Sequence, residues 1–154
     1  MDSNTPTTTA TNDVAAVDQS TVIPSGVRVY TGQCFCGDIK FTVEADLNQL
    51  KSGRCNCSFC VKHRGWFYRL ENVNQFKLLT PEENMMTFSR GNHACKKCAV
   101  YTHAIGDYGE GPYCSVAVNC IDDLTPAQKS AIPITYFDGL NNNWWSAPSH
   151  VNYL

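Results

Sequence analysis

Seven of the nine cysteines fall in three tight clusters: Cys34 and Cys36, then Cys55, Cys57 and Cys60, then Cys95 and Cys98. C-x-C and C-x-x-C spacings suit a tetrahedral soft metal. The clusters divide unevenly. The pairs Cys34/Cys36 and Cys95/Cys98 together offer four sulfurs, the usual set for a structural zinc. The trio offers three and leaves one position for water, a thiolate or a carbonyl oxygen. A closed zinc holds a fold and an open one does chemistry, so the spacing points to an enzyme. In an extended stretch residues two apart share a face, so Cys55 and Cys57 can meet one ion. A turn through Ser58 and Phe59 brings Cys60 round as the third ligand.

Three thiolates on Zn²⁺ leave a net charge of about −1 at the ion. A further anion there needs nearby cations, and Arg54, Lys62, His63 and Arg64 flank the trio. Their expected role is to hold an anionic substrate, with His63 as proton shuttle or charge partner; the alternative is a set of solvated surface charges. A fourth ligand from Cys114, Cys120, His63, His93 or His103 would instead close the site. Cys114 and Cys120 share a period-two face with Val116 and Val118, which reads as core packing. Zinc is inferred from sulfur preference, and iron suits such sites as well.

Disulfides are the competing use of cysteine. Residues 1–20 contain no Lys or Arg and lack the pattern of an export signal. A reducing, cytoplasmic compartment is therefore expected, where clustered cysteines serve metals. The formal net charge of −2 favours neither nucleic acid nor an anionic membrane. No apolar run approaches the roughly 20 residues of a membrane span. The expected partner is a small-molecule substrate, and oligomeric state leaves no trace in the sequence.

The elements that must position these ligands read as short strands. Residues 1–25 lack periodicity and are expected to form a disordered tail, with one zinc-binding domain over 26–154. Val27–Thr31 and Ile39–Glu44 alternate as half-buried strands of a hairpin whose turn carries Cys34 and Cys36. Leu47–Gly53 reads as a connection and Cys55–Cys60 as a turn. Strand patterns follow at 65–70, 76–79, 85–89, 99–105 and 113–121. Thr125 followed by Pro126 marks a short helix start. The stretch from Asp138 to Trp145 reads as turn-rich. The class is mostly β, short antiparallel strands tied by metal-binding cysteine turns.

Gly32-Gln33-Cys34-Phe35-Cys36-Gly37-Asp38-Ile39-Lys40-Phe41, Cys55-Asn56-Cys57-Ser58-Phe59-Cys60 and Cys95-x-x-Cys98 together resemble the glutathione-dependent formaldehyde-activating enzyme family, also called the centromere protein V/formaldehyde-activating domain. The resemblance covers about residues 28–125. It implies a β-tent fold and two zinc ions, a structural one at Cys34, Cys36, Cys95 and Cys98 and a catalytic one at Cys55, Cys57 and Cys60. It implies carbon–sulfur lyase chemistry on S-hydroxymethylglutathione, with glutathione as co-substrate. The chain departs from the family pattern at Ala94 and Ala99, where an aromatic and a glycine are usual. It departs again at Trp66-Phe67-Tyr68, bulkier than the small residue often found. A larger electrophile of secondary metabolism is the alternative substrate, and a non-catalytic zinc-stabilised binding module the alternative to an enzyme. The ending resembles fungal members, and Trp144 or Trp145 is expected to cover the pocket or pack at its rim.

Overall fold

A computed structural model describes residues 22–154 apart from 50, 108 and 110. The described chain runs β1 (Arg28–Gln33), β2 (Lys40–Ala45), β3 (Ser52–Cys55), α1 (Ser58–Lys62), β4 (Phe67–Arg69), β5 (Phe76–Leu78), β6 (Met85–Phe88), β7 (Asn92–Cys95), β8 (Tyr101–Asp107), β9 (Pro112–Ala117), α2 (Pro126–Ala131) and β10 (Thr135–Phe137). Three strands pair in the order β1-β2-β5, and seven in the order β10-β3-β4-β9-β8-β7-β6. All neighbours are antiparallel except β10, which runs parallel to β3. The mostly β expectation holds.

Period-two patterning places the core. In β2, Phe41, Val43 and Ala45 are buried while Lys40 and Glu44 face solvent, the alternation of a sheet with one dry face. These residues pack with Tyr30 of β1, Tyr68 of β4 and Val116 of β9, so both sheets contribute to one core. Ile23 is buried in it as well, and Asn48 Nδ2 donates to the Pro24 carbonyl at 3.1 Å. Of the segment expected as a tail, residues 1–21 lie outside the described residues. Cys114, Val118 and Cys120 belong to the same core. Burial pushes the Cys114 thiol up to about 12 and the Cys120 thiol up to about 11, as expected of cysteines used as small apolar side chains.

Three local differences bear on the metal sites. Ser52–Cys55 is a strand, not a connection. Its Lys51-Ser52-Gly53-Arg54 lead-in has no apolar alternation, and the strand is held between β4 and β10. β7 and β10 are likewise polar or brief and form through their partners. Third, residues 58–62 form a helical turn, α1, with Cys57 as its N-cap. The expected helix start at Thr125 is present as a full capping box: the Thr125 hydroxyl accepts from the Gln128 N–H at 3.1 Å, and Gln128 Oε1 accepts from the Thr125 N–H at 3.0 Å.

Candidate metal centres

The hairpin turn between β1 and β2 and the turn between β7 and β8 meet face to face. They bring the sulfurs of Cys34, Cys36, Cys95 and Cys98 within 4.8 Å of one another. Cys36 Sγ lies 3.6 Å from both Cys34 Sγ and Cys95 Sγ. Cys34 and Cys95 are fully buried, packed with Ile39, Leu78, Met85 and Val100. The Ile39 N–H points at Cys34 Sγ at 3.3 Å. Lys97 Nζ reaches Asp38 Oδ1 at 3.3 Å, a second tie between the turns. Four soft donors in one buried cluster fit a tetrahedral zinc. The Cys95-to-Ala99 turn closes when the Ala99 N–H bonds the Cys95 carbonyl at 2.9 Å, which puts Ala99 at φ +58°. That left-handed conformation is the one glycine adopts freely, so Ala99 holds a turn that costs it strain.

The trio forms a second cluster, Cys55, Cys57 and Cys60, again with sulfurs within 4.8 Å of each other. Among the described residues no fourth His, Cys, Asp or Glu joins it. Cys55 ends β3 inside the sheet, and α1 starts at once. The Cys57 N–H points at Cys55 Sγ at 3.3 Å and the Cys60 N–H at Cys57 Sγ at 3.5 Å. The Cys60 thiol, with the N–H groups of Cys57 and Gly139, holds the Cys55 thiol down to about 5 against the effect of burial. Cys60 is pushed up, first by its bond to Cys55 and then by burial. Three soft sulfur donors within reach of one ion leave a tetrahedral metal one open position. The three thiols thus fit a zinc with an open position.

α1 ends in a Schellman turn. The Gly65 N–H bonds the Cys60 carbonyl at 3.0 Å and the Arg64 N–H bonds that of Val61 at 3.3 Å, with Arg64 at φ +58°. A cleft beside the trio is lined by Cys55, Cys60, Val61, Arg64, Gly65 and Leu154. From the other side the chain returns through β10. Phe137 pairs with Cys55, and its carbonyl accepts from the Asn56 N–H at 3.1 Å. Asn56, itself buried, then bridges the two segments. Its Nδ2 donates to Asp138 Oδ1 at 2.6 Å, and its Oδ1 accepts from the Leu140 N–H at 2.8 Å. Hydrogen bonds from Asn141 and Asn56 hold the Asp138 carboxyl below its usual range. Gly139 is thereby pressed onto the trio. A Cβ there would lie 2.6 Å from Cys55 Sγ and 3.1 Å from Cys57 Cβ.

The profile of the glutathione-dependent formaldehyde-activating enzyme family matches residues 29–137, a span that contains both clusters. The chain belongs to that family. A crystal structure of a Rhodobacter sphaeroides protein is similar in fold, with a TM-score of 0.56 and 24% identity over 68% of this chain and 99% of that one. The family's matched span stops at Phe137, so the segment 138–154 that leans on the trio lies beyond it.

The four residues expected to assist the trio in this family member sit in four different environments. Arg54 is one residue before Cys55 on β3, so the strand alternation turns it to the other face. Its guanidinium lies 5.3 Å from the Trp66 ring centroid, and its Nε is buried without a hydrogen-bond partner among the described residues. Lys62 is exposed in the last turn of α1. His63 shares a helix face with Phe59, and its ring lies 4.4 Å from that of Phe59, 5.2 Å from Tyr101 and 5.4 Å from Phe67. Both ring nitrogens are buried and bond no described residue, and burial pushes the His63 pKa down. Arg64 lines the cleft, but its Nη1 donates to the Tyr153 carbonyl at 2.6 Å. Trp144 lies beside Gly139, its Cη2 2.9 Å from where a Cβ would be, while Trp145 is 89% exposed. Sequence reasoning missed Asn56, Asp138, Gly139 and Leu154. The only trace was Asn56 between two ligands, and a residue between ligands carries no signal of a partner 82 positions away.

Proposed function

We propose that this protein is a zinc-dependent carbon–sulfur lyase that forms or cleaves a thiol–aldehyde adduct such as S-hydroxymethylglutathione. The observation that carries the reading is the trio: three clustered thiols, no fourth described ligand, and a cleft whose walls include Cys55 and Cys60. The four-sulfur cluster is the structural counterpart, tying two turns distant in sequence. Zinc bound at the trio would supply Lewis acidity, holding a thiolate at neutral pH or polarising a carbonyl.

In the cleaving direction the carbon–sulfur bond breaks, the hydroxyl proton leaves, its oxygen becomes the aldehyde carbonyl, and the thiol sulfur regains a proton. Forming the adduct reverses each change. The chain's own contribution is placement. Cys55, Cys57 and Cys60 fix the reacting end at the cleft floor, and Val61 narrows it. Thiol addition to an aldehyde is intrinsically easy, so positioning supplies much of what is needed. Lys62, exposed at the end of α1, supplies positive charge for an anionic substrate such as glutathione, while Arg54 is turned to the other face of β3. His63, neutral at pH 7 and turned into an aromatic cluster, buttresses α1 against β4 and β8 in this arrangement and takes no proton from the trio. Among the described residues no helix is long and apolar enough to cross a membrane; we place the reaction in the reducing cytoplasm, where the thiols stay free.

The test is the exchange rate between formaldehyde, glutathione and their adduct, measured by NMR with catalytic amounts of the zinc-loaded protein. The expected result is exchange well above the uncatalysed rate, lost in Cys57→Ser. Equal rates with wild type, Cys57→Ser and no protein would remove the lyase reading.

A further inference from the structure

The cleft beside the trio has an unusual wall. Leu154 lines it together with Cys55, Cys60, Val61, Arg64 and Gly65. The backbone next to Leu154 is fixed by the Arg64 guanidinium, which donates to the Tyr153 carbonyl across 89 positions of sequence. The same segment begins at Gly139, pressed against Cys55 and Cys57, and continues through Trp144 beside Gly139. The Leu154 N–H bonds the Val151 carbonyl at 3.0 Å, so the piece that enters the cleft is itself a closed turn. With this wall in place the cleft measures about 10 Å³, room for about one water. Sites for drug-sized ligands run from about 300 to 1,000 Å³, and a tripeptide thiol belongs to that class.

We propose that segment 139–154 is a specificity cap on the three-cysteine site and that Arg64 is its latch. With the cap closed the site admits a ligand of one or two heavy atoms, such as hydrosulfide or formaldehyde. A tripeptide thiol enters only when Arg64 releases Tyr153 and Leu154 leaves the cleft. This rests on the lyase reading for its substrate class, while the geometry of the cap stands without it. Arg64, on this account, is a positioning residue, and its guanidinium is spent on the chain's own carbonyl.

The two roles open to Arg64 have opposite signs, which makes the test sharp. Binding of glutathione and of hydrosulfide to the full zinc-loaded chain is measured by calorimetry for wild type, Arg64→Ala and Leu154→Ala. The expected result is glutathione bound about fivefold to tenfold more tightly by both variants, with hydrosulfide changed less than twofold. Weaker glutathione binding by Arg64→Ala would make Arg64 a carboxylate ligand and overturn the latch; unchanged binding would overturn the cap. A second measurement does not depend on the lyase reading: alkylation of Cys55 and Cys60 by iodoacetamide against a bulky maleimide, read by peptide mass spectrometry. The bulky reagent should lag in wild type and catch up in both variants. If neither ligand binds any protein, the open-metal reading fails, and the alkylation ratio still decides the cap: equal ratios in all three proteins would overturn it.

Discussion

Gly139→Ala tests whether the return of the chain through β10 sets the geometry of the trio. The added methyl would stand 2.6 Å from Cys55 Sγ, 2.9 Å from Trp144 Cη2 and 3.1 Å from Cys57 Cβ. Carbon contacts are comfortable at about 3.5–4.0 Å, so all three are too close. Trp144 is partly exposed at the end of a flexible side chain and can swing away. The cysteines cannot follow so easily. Cys55 is held in the sheet by its pairing with Phe137, and Gly139 is held by the Asn56 bonds to Asp138 and Leu140. Inserting a methyl into a packed site of this kind costs about 1–3 kcal/mol. Because the strain relaxes when a sulfur turns out of the cluster, it appears as weakened metal binding at the trio, roughly 5- to 150-fold. The assay is cobalt titration of the metal-free chain followed by its thiolate absorption bands. The four-sulfur site serves as internal control and should load as in wild type. If Gly139→Ala fills both sites with wild-type affinity, the trio is shaped by its own loop alone and the reasoning about β10 is refuted.

Cys95→Ser removes a fully buried ligand that ties two distant turns, so the chain should lose its cooperative melting transition; Cys57→Ser should still melt cooperatively while losing one metal ion per chain by elemental analysis. Ala99→Gly relieves the left-handed strain in the β7–β8 turn and should stabilise by up to about 1 kcal/mol, or roughly 2–4 °C in melting temperature by calorimetry. Acid should destabilise the fold through His103. Burial, with His93 nearby, depresses its pKa to about 3, against about 6.5 when unfolded. Between those values the unfolded chain carries the extra proton, so stability is full above pH 6.5 and falls as pH drops, by up to tenfold in the unfolding constant per pH unit. Urea melts at pH 7, 6 and 5 measure this slope, and His103→Gln should flatten it by one proton; an unchanged slope in that variant would count against His103 as the source.

Much of this molecule was readable without coordinates because local spacing carries local geometry. The first hairpin followed from the alternation of Phe41 and Val43 with Lys40 and Glu44, and the start of α2 from Thr125-Pro126. Cys114 and Cys120 were legible as core from their period-two company. Ser52–Cys55 was not, since its polar residues become a strand only through the neighbours on either side. His63 was misleading for a related reason. Three residues after Cys60 it is near the ligands in sequence, but the turn of α1 gives it the face of Phe59 and leaves Cys60 and Arg64 on another.

The division between the two levels is sharpest at the metal sites. The sequence by itself determined three local cysteine clusters, because C-x-C and C-x-x-C keep the sulfurs of each cluster close whatever the rest of the chain does; the meeting of Cys34 and Cys36 with Cys95 and Cys98 was decided by the fold. The spacing left open whether a fourth ligand from elsewhere joins the trio, and the fold brings none among the described residues. What surrounds the missing position was decided by tertiary structure alone. Asn56 to Asp138, Gly139 against Cys55, and Arg64 to Tyr153 join residues more than 80 positions apart. Such contacts arise from the parallel pairing of β10 with β3, which is set by how the two sheets bury their shared core and not by any pattern within either segment.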